Sequence, residues 1–196
     1  MEVLKIENGN KRKIFKIVVD FLKRDMVVVC PTDTVYGICG NAFNKQTVKK
    51  IFKIKARRID KQISIFAESF KKAEDYAVIG SREKSFLKNP KITSILKAKN
   101  LKDFSKEIVS KDGKIGIRIP NYAFLKKILN KVDFPLTGTS ANVSGKMASV
   151  DIKEVLKQFK KRKFQPDLVI DAGKLKKTKP SKVIDLTYKK PKILRK

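Results

Sequence analysis

The run from Met26 to Cys30 is apolar and mostly β-branched, and Pro31 stops it. A strand covered on one side only would alternate apolar and polar residues, so this one reads as a central strand buried on both faces. Such a strand needs helices on both faces of its sheet, and the sequence supplies them. Lys11 to Lys23 places Ile14, Phe15, Val18, Phe21 and Leu22 on one helical face. A second helix starts at Asn44, a good N-cap, and turns Val48, Ile51 and Phe52 inward. Ala123 to Leu129 reads as a third helix. Ile152, Val155, Leu156 and Phe159 have the i, i+3, i+4, i+7 spacing of a fourth. Further strands are expected at Ile63–Ala67, Thr93–Leu96, Ile115–Ile119, Leu168–Ile170 and Val183–Leu186, whereas Thr137 to Gly145 reads as a small-residue loop. Helices and strands interleave along all 196 residues without a repeat or long linker. The expectation is therefore one α/β (α+β) domain over residues 1–196, a twisted mixed sheet with flanking helices, and no additional C-terminal domain.

Lys and Arg total 48 against 19 Asp and Glu, a net charge of +29, yet 41% of residues are hydrophobic, which excludes a disordered polyelectrolyte. Lys enrichment beside abundant Ile, Asn and Phe is equally what an AT-rich coding genome produces, so charge alone names no partner. No apolar run approaches the ~20 residues of a membrane span. The N-terminus mixes charged and apolar residues from the start, so a cytoplasmic protein without membrane association is expected. Cys30 and Cys39 make neither a disulfide framework nor a zinc ligand set. The chain has no His, which excludes imidazole as base, nucleophile or metal ligand.

Three segments carry polar groups suited to chemistry. Pro31-Thr32-Asp33-Thr34-Val35-Tyr36-Gly37 follows the buried strand directly, at a strand end where α/β sheets hold ligands. Lys55-Ala56-Arg57, with Lys61 four residues on, closes the second helix with three cations, a set that suits a triphosphate. Thr137-Gly138-Thr139-Ser140-Ala141-Asn142-Val143-Ser144-Gly145 offers hydroxyls and backbone N–H groups to an anion but lacks the P-loop pattern. Each alone is also what a polar turn or a wet, Lys-rich surface looks like.

Their order is more specific. P-T-D-T-V-Y-G, K-x-R with a Lys four on, G-I-R-I-P, T-S-A-N-V-S-G, Pro180-Ser181 before a late strand, and a closing I-L-R together resemble the YrdC family, the threonylcarbamoyl-AMP synthases of tRNA modification. The resemblance runs from about Met26 to Arg195. It implies a basic concave cleft and a nucleotidyltransferase joining L-threonine, bicarbonate or CO2, and ATP into threonylcarbamoyl-AMP, with pyrophosphate released. A separate tRNA threonylcarbamoyl transferase complex would take the product. It further implies Thr34, Arg118 and Ser181 as threonine ligands, and Arg57, Lys61, Ser140, Asn142 and Arg195 as the ATP set. Lys55, Arg57 and Lys61 would serve catalysis, and Mg2+ would be held by ATP phosphates, with no protein metal site.

The chain departs from the family pattern at Arg58, Gln62, Phe66, Asn89–Thr93, Lys114, Ala148 and Lys182. A non-catalytic RNA-binding module on the same fold is the main alternative, and weak, non-specific tRNA binding is compatible with either reading. The carbamoyl-transferring branch of hydrogenase maturation is disfavoured, because it carries Cys-rich zinc modules.

Overall fold

A computed structural model describes residues 1–99 and 101–196. The strands are β1 (Glu2–Lys5), β2 (Val28–Cys30), β3 (Gly37–Cys39), β4 (Ser64–Phe66), β5 (Ile92–Lys97), β6 (Lys114–Arg118), β7 (Leu136–Ser140), β8 (Leu168–Asp171), β9 (Lys182–Asp185) and β10 (Lys192–Arg195). The α-helices are α1 (Lys11–Lys23), α2 (Lys45–Lys55), α3 (Phe70–Tyr76), α4 (Ser81–Leu87), α5 (Ala123–Leu129) and α6 (Ile152–Phe159). The strands form one mixed sheet in the order β1-β8-β2-β3-β7-β4-β6-β5-β9-β10.

Around β2 and β8 the sheet is buried on both faces, as the Met26–Cys30 run requires. Along β2, Val28 and Cys30 join the core under α1 and α5, and Val29 joins the opposite core under α2 and α6. The same alternation recurs at Leu168, Val169 and Ile170. α1 contributes Ile14, Val18 and Leu22, and α5 contributes Leu125, Ile128 and Leu129. Asn44 caps α2 as expected, its side chain accepting from the backbone N–H groups of Gln46 and Thr47.

Thr137–Ser140 is a correction. The segment is strand, not loop, because β7 sits between β3 and β4 and pairs antiparallel with both. Its glycine suits the packing: a Cβ on Gly138 would lie 3.3 Å from the Phe66 ring, closer than ordinary contact. α1 and α5 cover β2, β8 and the neighbouring side chains Cys39, Leu136 and Phe66, and beyond these the same face of the sheet is open. That open half carries small or polar side chains, among them Gly37, Gly138, Ser64 and Thr93, and a cleft lies over it.

Candidate active site

The first wall of the cleft is the Pro31–Gly37 segment. Thr32 Oγ1 accepts from the Thr34 backbone N–H at 3.0 Å and donates to the Val35 carbonyl at 2.7 Å, so the turn is closed by its own hydroxyl. Thr34, 1% exposed, meets Arg118, 5% exposed, at the end of β6. Arg118 donates from Nη1 to Thr34 Oγ1 at 3.0 Å, from Nη2 to Asp33 Oδ1 at 2.7 Å and from Nε to the Pro90 carbonyl at 2.6 Å. Its guanidinium lies 5.6 Å from the Phe66 ring centroid. Burial lowers its pKa against the pull of Asp33, but a guanidinium stays charged. Three of its five N–H donors are spent, and two remain on a side chain that lines the cleft.

The second wall begins where α2 ends. Ala56 adopts left-handed geometry at φ 47°, a strain of about 1–2 kcal/mol for a residue with a Cβ. That reversal sends the flanking cations opposite ways. Lys55 turns inward, 1% exposed, and Nζ donates to the carbonyls of Ser140 at 2.5 Å and Asn142 at 2.8 Å, and to Asn142 Oδ1 at 3.3 Å. Burial, then the charges of Arg57 and Arg195, push its pKa down to about 7. Arg57 turns towards the cleft and donates to the carbonyls of Lys61 at 2.7 Å and Gln62 at 2.9 Å, closing the 57–62 loop. Ser140 lines the cleft and donates to Asn142 Oδ1 at 2.6 Å.

The third wall is the β9–β10 hairpin. Ser181 Oγ and Thr93 Oγ1 lie 2.8 Å apart. Arg195 donates to the Ser181 carbonyl at 3.0 and 2.7 Å. Arg82 latches the hairpin turn by donating to the carbonyls of Leu186, Tyr188 and Lys189. Arg82→Ala is expected to speed amide exchange in β10 by about tenfold, the worth of one charge-assisted hydrogen bond of about 1.5 kcal/mol. Hydrogen-exchange mass spectrometry reads this, and unchanged protection would show that pairing with β9 alone holds the strand.

Thr34, Arg57, Arg118, Ser140, Ser181 and Arg195 thus converge around a cavity of about 280 Å³. Lys55 and Asn142 lie behind its wall, and Lys61 is exposed outside it. The guanidinium groups repel one another: Arg195 depresses the pKa of Arg57, and Arg118 that of Arg195, after burial in each case. A cleft lined by like charges of this kind is built to be neutralised by an anion. Among the described residues no group of three or more His, Cys, Asp and Glu could cage a metal. Asp33 beside the cleft already serves Arg118.

Sequence reasoning did not single out Asp33 as the orienting partner of Arg118, nor Thr93. Asp33 stood inside the P-T-D-T motif, and Thr93 closed the Asn89–Thr93 segment that departs from the family pattern, but neither was given a role. Of the departures from the family pattern, Arg58 is exposed and paired with Asp60 at 3.1 Å. Lys114 bridges Asp112 at 3.0 Å and Asp185 at 3.3 Å. Phe66 lies beneath Arg118.

A mixed sheet with an arginine-lined cleft on its open face defines a class of protein, and comparison names the family. Residues 20–196 match the family model described as telomere recombination, the Sua5, YciO and YrdC proteins, and the chain belongs to that family. A Methanocaldococcus jannaschii protein provisionally named a threonylcarbamoyl-AMP synthase is 38% identical, over 91% of this chain and 89% of its own. The Pyrococcus abyssi threonylcarbamoyl-AMP synthase is 29% identical over 92% of this chain but only 53% of its own length. The solved structure of P. abyssi Sua5 complexed with L-threonine matches with a TM-score of 0.87 and 28% identity, covering 100% of this chain and 57% of that one. Escherichia coli YciO, 24% identical, shares the fold with a TM-score of 0.84. Among the described residues no helix is long and apolar enough to cross a membrane.

Proposed function

We propose that this chain is a threonylcarbamoyl-AMP synthase, a nucleotidyltransferase acting on L-threonine, bicarbonate or CO2, and ATP. The observation that carries the reading is one cleft lined by three arginines, Arg118 with two unspent donors, Arg57 and Arg195, together with the hydroxyls of Thr34, Ser140 and Ser181. In the reaction the threonine amine forms an N–C bond to CO2 and gives up a proton. A carbamate oxygen then attacks the α-phosphorus, the bond to the bridging oxygen breaks, and pyrophosphate leaves with that electron pair. Arg118, Thr34 and Ser181 hold the amino acid. Arg57, Ser140 and Arg195 hold the triphosphate, with Lys61 at its outer rim, and Lys55 and Asn142 fix the wall that carries Ser140. Positioning and charge neutralisation do most of the work in such a displacement, so a chain without His suffices. Mg2+ would be held by the phosphates of ATP, since among the described residues no carboxylate cage would hold it. The product passes to a separate tRNA threonylcarbamoyl transferase complex, and the work is cytoplasmic.

The test is release of pyrophosphate from ATP by the purified chain, expected only when threonine and bicarbonate are both present. Release independent of threonine would defeat the reading. Arg57→Ala is expected to lower kcat/KM about a hundredfold, corresponding to about 2.7 kcal/mol of lost charge stabilisation. A variant that folds normally and turns over near the wild-type rate would remove Arg57 from the site.

The charge of +29 gives a separable, weak affinity for tRNA. If six to ten phosphates are neutralised, binding should fall by roughly a thousandfold or more between 50 and 200 mM salt, equally for an unrelated RNA of the same length. Filter binding across a salt series measures it. Tight binding at 200 mM that prefers a substrate tRNA would favour the RNA-module reading instead.

A further inference from the structure

A second concavity, of about 1160 Å³, opens between α1, α5 and the loop before α1. It shares no lining residue with the cleft. Its floor is apolar: Ile6, Phe15, Tyr122 and Phe124, all half-buried, with the two phenylalanines edge to face at 6.5 Å and 79°. Its rim is cationic: Lys11, Arg12 and Lys16 from α1, and Lys127 and Lys131 from α5 and the turn after it. All five are exposed, and none makes an ion pair among the described residues. The one carboxylate at the edge, Glu7, is turned to Lys5 at 3.2 Å.

We propose that this groove is a docking site for an acidic amphipathic helix of another protein. A trough between two helices, apolar along its floor and charged along its edges, is the receptor half of helix-in-groove recognition. The helix it fits presents apolar residues at i, i+3, i+4 and i+7 and carboxylates on its flanks. A second copy of this chain is the wrong occupant, since it would bring a like-charged rim and a net charge of +29. RNA fits the rim but not the floor. Phe15 and Phe124 turn edge to face upon each other, and so offer no pair of parallel faces on which successive bases stack.

The test is chemical-shift mapping on the full 15N-labelled chain with three probes. One is a synthetic peptide of about five helical turns, with Leu at i, i+3, i+4 and i+7 and Glu on both flanks. The second is a scrambled peptide of the same composition, and the third a uridine-rich oligonucleotide. The amphipathic peptide is expected to give saturable shifts centred on Phe15, Ala123, Phe124 and Lys127, at least about tenfold tighter than its scramble. Lys16→Glu with Lys127→Glu, both exposed positions, should weaken that binding at least about tenfold and leave pyrophosphate release unchanged. Equal binding of the scramble, a tighter response to the oligonucleotide at these residues, or shifts centred on the cleft would each overturn the proposal.

Discussion

Lys55→Ala is expected to lower the unfolding free energy by about 3–5 kcal/mol, the range for emptying a large buried site and orphaning its hydrogen-bond partners. Lys55 is among the largest fully buried side chains, and its ammonium satisfies the carbonyls of Ser140 and Asn142. Through those bonds the end of α2 is tied to the turn that follows β7, and a backbone bond from the Ser144 N–H to the Lys55 carbonyl at 2.8 Å adds to the tie. Lys55→Met fills the volume but leaves the carbonyls without donors, so about half the loss is expected. The pH dependence separates packing from charge. In the folded chain the Lys55 pKa is pushed down to about 7 from an ordinary 10.5. Between those values the unfolded chain holds a proton that the folded chain has released, so stability attributable to Lys55 rises with pH across that window. Below pH 7 both states are protonated and the full cost of burying the ammonium is present. Urea unfolding at a series of pH values should therefore show a rising difference between wild type and Lys55→Met from about pH 7 to 10. A loss below about 1 kcal/mol for Lys55→Ala, or a flat difference, would show that the ammonium is not confined as the geometry indicates.

Lys55 also illustrates what sequence could and could not read. The K-x-R pattern located the cationic corner but pointed both cations at the same triphosphate. What divides them is the left-handed backbone at Ala56, and nothing in an alanine announces positive φ, as a glycine would. The central strands, α1, α2, α5 and α6 were legible because burial imposes a period on the residues that pay for it. β1 and β10 were not, because they are edge strands with mostly exposed side chains and no alternation to read. α3 and α4 bury one residue each, Ala73 and Leu87, and so show no apolar face to read, whereas α5, equally short, buries three; β3 is three residues opening on Gly37, straight after the Thr32–Thr34 turn. β7 was misread because the glycine and serine of Thr137–Ser140 were given more weight than the strand preference of its two threonines, and pairing on both sides is what makes the segment a strand. The candidate site was legible as an ordered set of motifs and illegible as geometry. Thr34 and Arg118 are 84 positions apart and become one unit only when the end of β6 reaches the Thr32–Thr34 turn.

Arg118→Lys is expected to raise the KM for threonine by about 10–150-fold while leaving the KM for ATP within a few-fold. The interval corresponds to about 1.5–3 kcal/mol for charge-assisted hydrogen bonding to a carboxylate. The argument is geometric. The guanidinium reaches Pro90, Thr34 and Asp33 at once, at 2.6 to 3.0 Å, and still has two donors left. An ammonium has only three hydrogens and no planar fork, so it cannot hold the same three partners and a ligand carboxylate as well. Arg118→Ala goes further, since it strands the Asp33 carboxylate, whose other oxygen already has no partner. Removing one member of a buried pair typically costs about 3–5 kcal/mol, so this variant should be destabilised as well as inactive. Adding Asp33→Asn to Arg118→Ala should recover part of that stability and none of the threonine affinity, because the stranded charge is gone but the fork is not restored. Chemical denaturation and initial-rate kinetics on the four proteins of this cycle measure the two effects separately. An unchanged threonine KM in Arg118→Lys would move the amino-acid site elsewhere in the cleft. Full recovery of activity in the double variant would show that Arg118 acts only to neutralise Asp33.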